Sequence, residues 1–334
     1  MSKRCMIAAL AMSALVAGGC GASEESTPAS NADGAAAKSA QDLTIGVSNL
    51  GFGFPFPAAI SQGMKEEAAS LGVEIVELDA KGDANKQAND VQDLIAQKPD
   101  GVIINPVDGG VAIGMVKQLK AADIPVAAVN SQVGDPKKVA ATYVHPDLVA
   151  WIGQDEVEAG AVAGEMAARA LPSGGKIAVV EGAAGFSAVK LRLDGFKKGL
   201  GDAVDSFEIV ASQPGDWVQD KSEAACQNML ASHPEIELIY AEADDMAVGC
   251  QKALDAKGSK AKVIGIGGSK LAVQDITSGK LYGTVCYKPI ETGKIALRTL
   301  VNHLTGEQPK QAEFVPLPAP ATTKDTAGDC PGEW

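Results

Sequence analysis

Short β-rich runs alternate with longer stretches of helical period along most of the chain, and this alternation restricts the possible fold more than any other feature. The first half has β-rich runs at residues 43–48, 73–78, 101–105, 125–129 and 139–144, with helical stretches at 58–71, 85–97 and 111–121. The second half has β-rich runs at residues 176–180, 207–211, 237–241, 262–266 and 282–286, each followed by a helical stretch.

Nearly continuous apolar strands linked by helices indicate parallel sheets that are covered on both faces. The series occurs twice in roughly 290 residues, which is more than one hydrophobic core usually serves, so we predict an α/β fold with two doubly wound lobes. Ligands of such sheets bind beyond the carboxyl ends of the strands, so the functional residues are expected there.

The first 20 residues have the pattern of an export signal. Lys3 and Arg4 precede an apolar run over residues 6–18, which is shorter than the roughly 20 apolar residues that span a bilayer. The small residues before Cys20 resemble the lipobox of bacterial lipoproteins, which implies that residues 1–19 are removed and Cys20 becomes lipidated. The alternative is an ordinary signal peptide cut nearby, with Cys20 incidental. Both interpretations place the protein outside the cytoplasm.

The segment that follows the signal is predicted to be a flexible tether. Residues 21–41 contain no Val, Ile, Leu or aromatic residue, and such a composition cannot bury enough apolar surface to fold. The tether is therefore assigned to residues 20–41.

The charge balance restricts the partners of the chain. Lys and Arg number 29 against 42 Asp and Glu, a net charge of −13, which becomes −15 when Lys3 and Arg4 leave with the signal. A surface this acidic argues against nucleic acids and anionic lipid headgroups as partners.

Four cysteines remain once the signal is removed and Cys20 is acylated, and an even count in an oxidising compartment indicates disulfides. Four cysteines can be joined into two disulfides in three ways. We favour Cys226 with Cys250, because they fall on consecutive helices of neighbouring units, and Cys286 with Cys330 would then hold the C-terminal tail. A metal site is not expected, because the sequence has no CxxC spacing and no histidine near a cysteine.

Catalytic motifs are missing from the sequence. It has no phosphate loop, residues 265–268 lack the last glycine of a dinucleotide fingerprint, and residues 185–189 lack the second glycine of a nucleophile elbow. His145, His233 and His303 are scattered along the chain. We therefore predict neither an enzyme nor a cofactor.

Residues 48–57 carry three phenylalanines among glycines and prolines, directly after the first predicted strand. They form either a hydrophobic plug or an apolar platform for a ligand. Sugars suit such a platform, because their C–H faces pack on aromatic rings while their hydroxyls need charged or amide partners.

With this segment and others in the same order, the chain resembles the type I periplasmic sugar-binding proteins of ABC transporters, particularly the ribose-binding branch, over about residues 43–316. The motifs that carry the resemblance are Val47-Ser48-Asn49-Leu50 with Pro55-Phe56, Gln92-Asp93-Leu94, Ile104-Asn105-Pro106 with Asp108, Asp123-Ile124-Pro125-Val126, Gly185 with Ser187-Ala188 and Arg192, Gly195-Phe196, Ala211-Ser212-Gln213-Pro214 with Asp216-Trp217, and Asp244-Asp245-Met246-Ala247.

The resemblance implies a three-segment hinge between the lobes, with crossings near Gln154, Tyr287 and Pro316. The predicted parts are an N-terminal lobe of residues 42–153 plus 288–316, a C-terminal lobe of residues 154–287 plus 317–325, and a tail of residues 326–334.

The resemblance also implies binding residues. Phe56 and Trp217 match rings that stack on the sugar, and Arg192 matches an arginine that donates to sugar oxygens with its rigid fork of N–H groups. Asp244 lies in a family motif and is a further candidate. Lys190 is a second-rank candidate, for which a solvated helix position is the favoured interpretation.

Several candidate positions depart from the ribose-type pattern. Asn130 stands for an aspartate, Ser131 for an arginine, Tyr287 for a glutamine, Ala243 for an asparagine and Gly267 for an aspartate. Phe54 falls where an asparagine is expected, beside a one-residue insertion. The residues kept as ligand-binding candidates on this basis are Phe54, Asn130, Ser131 and Tyr287, with Ser48 and Gly267 in the second rank.

The predicted function is that of a solute receptor which closes on a small ligand and presents it to an ABC permease, acting as a monomer. The lost carboxylates make ribose a poor candidate and favour a polyol, a substituted sugar or a weakly anionic sugar. The alternatives are a receptor for a chemotaxis or sensor protein, a binder of a less polar non-sugar ligand, a secreted enzyme, and a cytoplasmic repressor, which would need a DNA-binding helix pair where the signal lies.

Overall fold

The computed structural model describes residues 38–307 and 312–334. The predicted signal, Cys20 and most of the predicted tether lie outside these residues. The last residues of the predicted tether, 38–41, belong to the folded unit, so the predicted end of the tether is corrected. Ala40–Asp42 form a 3₁₀ turn in which the Ser39 hydroxyl donates to Asp42, and Lys38 forms an ion pair with Asp100.

The first series of elements builds a six-stranded sheet. Its elements in chain order are β1 (Thr44–Asn49), α1 (Pro55–Leu71), β2 (Glu74–Asp79), α2 (Ala84–Gln97), β3 (Gly101–Ile104), α3 (Gly109–Ala121), β4 (Val126–Val129) and β5 (Ala150–Gly153). A later strand, Glu313–Pro316, pairs with β5, so the strand order is that strand, β5, β4, β3, β1, β2, and all of its pairings are parallel.

The second series builds another six-stranded sheet. Its elements are α4 (Glu156–Ala170), β6 (Gly175–Glu181), α5 (Ser187–Gly199), β7 (Phe207–Pro214), α6 (Gln219–Ser232), β8 (Leu238–Ala241), α7 (Asp244–Lys257), β9 (Lys262–Gly267), α8 (Lys270–Ser278) and β10 (Gly283–Cys286). The chain then continues through α9 (Pro289–Leu304), β11 (Glu313–Pro316) and β12 (Ala321–Thr323). The strand order of the second sheet is β12, β10, β9, β8, β6, β7.

The inner strands of both sheets are buried on both faces, which explains their continuous apolar runs. In β3, Ile103 packs into the core shared with α1 and α9, whereas its neighbours Val102 and Ile104 pack into the core shared with α2 and α3. Successive side chains of a strand point to opposite faces, so a strand with helices on both sides must be apolar at every position. The prediction of two doubly wound α/β lobes is confirmed.

Two details of the predicted strands are wrong. Residues 139–144 form turns and not a strand, because the Gln132 side chain donates to the carbonyl oxygens of Ala140 and Tyr143. The strand of this region is β5, which the sequence analysis missed. The second sheet is also not wholly parallel, since β12 pairs with β10 in the antiparallel direction.

A close helix contact supports the first lobe. A methyl group on Gly63 of α1 would lie 1.9 Å from the carbonyl oxygen of Ile290, and one on Gly293 of α9 would lie 2.0 Å from that of Ile60. These two glycines therefore let the backbones of α1 and α9 touch. α9 follows the second sheet in sequence but packs on the first.

The chain passes between the two sheets three times, after β5, after β10 and between β11 and β12. The described part of the chain holds two disulfides, Cys226–Cys250 between α6 and α7, and Cys286–Cys330 between the end of β10 and the tail. This is the pairing that the sequence analysis favoured. Within the described residues, no helix combines the length and the apolar character needed to cross a membrane.

Candidate ligand-binding site

A cleft between the two lobes encloses about 900 Å³, part of it open to solvent, and lies beyond the carboxyl ends of strands from both sheets. All three tryptophans of the chain line it, together with three of its seven phenylalanines. The cleft is therefore the candidate ligand site.

The wall from the first lobe is formed at the starts and ends of its elements. Phe54 and Phe56 flank Pro55, the first residue of α1, whose fixed φ suits the first turn of a helix. Asn130 follows β4 with a φ of 64°, and its Nδ2 donates to Oδ1 of Asn105 over 3.1 Å. This contact fixes the orientation of the Asn130 amide at the edge of the cleft.

The wall from the second lobe is organised by a buried ion pair. Nε of Arg192 donates to Oε2 of Glu156 over 2.6 Å, Nη2 donates to Oε1 over 2.9 Å, and Nη1 donates to the carbonyl oxygen of Glu242. The hydroxyl of Tyr287 donates to the same Glu156 oxygen, Oε2, over 2.8 Å. A guanidinium has five N–H groups, so two remain without a partner among the described residues.

Helix packing brings this pair together. Glu156 begins α4 and Arg192 lies in α5, and a methyl group on Gly160, one turn after Glu156, would lie 2.2 Å from the carbonyl oxygen of Arg192. The glycine thus lets the α5 backbone approach α4 closely enough for the bidentate contact.

Burial and charge set the protonation of this wall. Burial alone would lower the pKa of Arg192, but the adjacent Glu156 carboxylate reverses the effect and the pKa is raised. Burial, followed by the charge of Glu156, raises the pKa of Tyr287 well above its usual value. Both groups therefore keep their protons at any physiological pH and act as donors.

Trp217 is held in place by strained backbone and by a glycine. It and Asp216 have φ values of 62° and 54°, a conformation that costs non-glycine residues about 1–3 kcal/mol each. Its ring lies on Gly182, where a methyl group would approach Cζ2 to 1.9 Å. The Arg192 guanidinium lies 5.7 Å from the ring centroid. The Trp217 Nε1 is buried and has no hydrogen-bond partner among the described residues.

The structure brings most of the predicted site residues together. Those that line the cleft are Phe54, Phe56, Asn130, Ser131, Arg192, Trp217, Gly267 and Tyr287.

Three predicted residues lie elsewhere. Asp244 is fully buried behind the cleft, where it accepts from the Thr284 hydroxyl and the Ser269 N–H, both over 2.6 Å, and burial raises its pKa to about 7. Ser48 is also fully buried outside the lining. Lys190 is exposed and pairs with Asp194 one turn later, so the solvated interpretation describes its position.

Sequence reasoning missed several lining residues, which include Gln132, Trp151, Glu156, Phe186, Asp245 and Trp334. Asp245 carried one signal, since it neighbours the predicted Asp244 at the start of α7. Periodicity alone did not indicate which of the two carboxylates faces the cleft. Glu156 comes two residues after Gln154, where the family resemblance implies a lobe crossing. Trp334 carried no local signal.

Comparison with known proteins agrees with this architecture. The sequence profile of the periplasmic binding protein domain matches residues 45–308. The ribose import binding protein RbsB of Bacillus subtilis is 30% identical over 277 residues, which cover 83% of this chain and 87% of that protein. The putative rhizopine-binding protein of Rhizobium meliloti is 27% identical over 279 residues, 82% of this chain and 88% of that protein.

Two solved structures have the same fold. An ABC transporter solute-binding protein from Mycobacterium smegmatis with bound glycerol is 31% identical, with a TM-score of 0.77 over 86% of this chain and 96% of that one. A solute-binding protein from Bacillus halodurans with bound myo-inositol is 26% identical, with a TM-score of 0.79 over 89% of this chain and 99% of that one. The chain therefore belongs to the periplasmic binding protein domain family, whose members are extracytoplasmic substrate-binding proteins of ABC transporters and not enzymes.

Proposed function

We propose that the protein is the solute-binding lipoprotein of an ABC importer and binds a small polyhydroxylated ligand in the cleft, either a monosaccharide, a polyol or a derivative of one. The observation that carries the proposal is the composition of the cleft wall. Aromatic rings cover much of it, and between them lie a few polar atoms that have no hydrogen-bond partner in the part of the chain that the structure describes.

The polar atoms match the hydrogen-bonding needs of hydroxyl groups. The indole nitrogens of Trp151 and Trp217 are buried donors without partners among the described residues, and Oε1 of Gln132 is a buried acceptor without one. Two N–H groups of Arg192 are further donors, and the Asp245 carboxylate at the cleft is a further acceptor. A hydroxyl both donates and accepts, so such a mixed set suits a ligand with several of them.

The relatives support this ligand class. The Mycobacterium smegmatis protein holds glycerol and the Bacillus halodurans protein holds myo-inositol, two compounds that consist of carbon skeletons with hydroxyls. The sequence departures at Asn130, Ser131 and Gly267 make ribose a poor candidate, since sites built to hydrogen-bond a hydroxyl reject ligands that leave their groups unpaired.

Hinge closure is the proposed mode of binding. The cleft is walled by both lobes, and three chain segments connect them, an arrangement that lets the lobes rotate around the ligand. The closed form would then be the one that the permease recognises, with the protein acting as a monomer. Lipidation at Cys20 would keep it at the membrane.

A thermal-shift screen tests the ligand class. The panel is D-ribose, D-allose, L-arabinose, myo-inositol and glycerol at millimolar concentration, together with adenosine and an aromatic amino acid as less polar compounds. Ligands that bind only the folded state raise its melting temperature, so we expect a rise of several degrees with at least one polyhydroxylated compound. A shift with the less polar compounds alone would contradict the proposal.

Lipidation is tested separately by mass spectrometry of the protein purified from its membrane fraction. We expect a diacylglycerol modification on Cys20 and its loss in Cys20→Ala. Recovery of an unmodified protein cut at another residue would contradict this part of the proposal and leave the ligand class unaffected.

A further inference from the structure

The end of the described chain folds back to the cleft. Cys330 is bonded to Cys286 at the end of β10, and the Lys270 N–H in the first turn of α8 donates to the carbonyl oxygen of Trp334 over 2.7 Å. The Ile290 N–H, in the first turn of α9, donates to the Glu333 carboxylate over 2.9 Å. Residues 330–334, which we call the strap, are thus attached to elements of both lobes.

The indole of Trp334 forms part of the cleft wall. Its Nε1 donates to the carbonyl oxygen of Gly267 in β9 over 3.1 Å. Its ring meets the Phe56 ring edge-on, with centroids 5.5 Å apart and an angle of 84° between the planes. Because Phe56 belongs to the first lobe and Gly267 to the second, the indole lies between the lobes at the site itself.

The turn after β9 is shaped to receive the strap. A methyl group on Gly267 would lie 2.7 Å from Cζ2 of Trp334, and one on Gly268 would lie 2.8 Å from Sγ of Cys330. A side chain at either position would displace the indole or the disulfide. The two glycines therefore provide the space for the Trp334 indole and for the Cys330 sulfur.

We infer that Trp334 contacts the bound ligand as an aromatic wall and that the Cys286–Cys330 disulfide holds it there. The inference rests on the proposed function, because it needs a ligand in this cleft. The indole is one of the residues that line the cleft, and the cleft beside it is hollow, so the ring leaves room for a small molecule. An aromatic face at this point suits the C–H face of a polyhydroxylated compound.

The test measures affinities by isothermal titration calorimetry for the five polyhydroxylated compounds of the panel. The proteins are the full chain, Trp334→Ala, Trp334→Phe, and two double variants that each remove one disulfide, Cys286→Ala with Cys330→Ala and Cys226→Ala with Cys250→Ala. We expect Trp334→Ala to weaken the affinity about ten-fold, or about 1.4 kcal/mol, because it removes an aromatic face from the cleft wall. Trp334→Phe keeps most of the affinity, and the Cys286/Cys330 variant resembles Trp334→Ala. The Cys226/Cys250 variant binds like the full chain, because that bond lies between α6 and α7 and outside the cleft lining.

A second measurement follows the indole directly. The protein is labelled with 5-fluorotryptophan, and the ¹⁹F resonance of Trp334 is assigned with Trp334→Phe. We expect the chemical shift of this resonance to change when a panel compound that binds is added. In the Cys286/Cys330 variant we expect it to take the chemical shift of a solvent-exposed tryptophan.

The outcomes separate this inference from the proposed function. If the full chain binds a panel compound and Trp334→Ala binds it equally well, or more tightly because the indole blocks the site, the inference is overturned and the proposed function stands. If only Trp334→Ala binds, the indole is a plug and the inference is likewise overturned. If no protein binds any panel compound, both are overturned.

Discussion

The carboxylate of Glu156 and the guanidinium of Arg192 form a bidentate ion pair whose two side chains are 8% and 9% exposed, although the residues are 36 positions apart. The pair joins the first turn of α4 to α5, and Tyr287 at the lobe crossing donates to the same carboxylate. The pair therefore supports the wall that the second lobe contributes to the cleft, and it connects this wall to the chain segment that crosses between the sheets after β10.

Removing one partner of this pair is expected to destabilise the protein strongly. Glu156→Ala leaves the Arg192 charge buried and unpaired, which costs about 3–5 kcal/mol in other proteins. The measurement is the free energy of unfolding from urea titration.

The matched control is Lys190→Ala, which breaks the exposed pair with Asp194 on the surface of α5. Such pairs contribute about 0.3–0.5 kcal/mol, so the control should unfold almost like the unmodified protein and retain its ligand affinity. Equal effects of the two substitutions would show that the buried pair does not support the fold.

Gly182→Ala is expected to dislodge Trp217 from the cleft. The added methyl group would overlap the indole at 1.9 Å, so the ring must move and ligand affinity should fall at least ten-fold. The check is calorimetric titration with the compound that binds the unmodified protein.

Gly114→Ala is the control for this substitution. Gly114 is exposed within α3, and a methyl group there meets nothing within 4 Å. Replacing glycine by alanine inside a helix usually stabilises it by up to about 1 kcal/mol, so this variant should be slightly more stable and bind normally. Normal binding by Gly182→Ala would remove Trp217 from the ligand site.

The buried carboxyl of Glu242 is expected to make stability depend on pH. Burial is the largest cause that raises its pKa, from 4.5 to about 8, while the Gly182 N–H and the charge of Arg192 oppose the rise. Between these two pH values the folded state binds more protons than the unfolded state, so stability falls as the pH rises. Glu242→Gln should reduce the fall between pH 5 and pH 8 by a few kcal/mol, as measured by urea titrations at both pH values.

Some pH dependence should remain in that variant, because burial raises the pKa of Asp244 to about 7 and acts in the same direction. Adding Asp244→Asn should flatten the profile further. An unchanged slope in Glu242→Gln would mean that this carboxyl is ionised throughout the range.

The Cys226–Cys250 disulfide is expected to act on stability alone. It closes a loop with a sequence separation of 24, for which the chain-entropy estimate is about 3.5 kcal/mol. Replacing both cysteines with alanine should lower the free energy of unfolding by about this amount and leave ligand affinity unchanged. A loss of affinity would show that this bond affects the site, although neither of its cysteines lines the cleft.

Several parts of the site were readable from the sequence because they follow predictable strands. Phe54 and Phe56 follow β1 at the start of α1, and the carboxyl ends of parallel strands share one edge of a sheet. Asn130, which follows β4, was identified through the family resemblance. The hydrophobic pattern was less informative at β5, because this strand is short. It was also less informative at Asp244, because the adjacent Asp245 has the same side chain and the sequence does not indicate which of them faces the cleft.

By itself, the sequence determined the two doubly wound lobes, because burial on both faces forces a strand to be apolar at every position, and that requirement is visible in one dimension. It also identified the family motifs and favoured the disulfide pairing that is present. Only the tertiary structure decided which atoms face the cleft. In the sequence, Gly267 stands where the resembled family carries an aspartate, which suggested a lost carboxylate. In the fold, the space beside Gly267 contains the indole of Trp334, 67 residues away. Such contacts depend on how the backbone closes on itself, and no local pattern of residues encodes them.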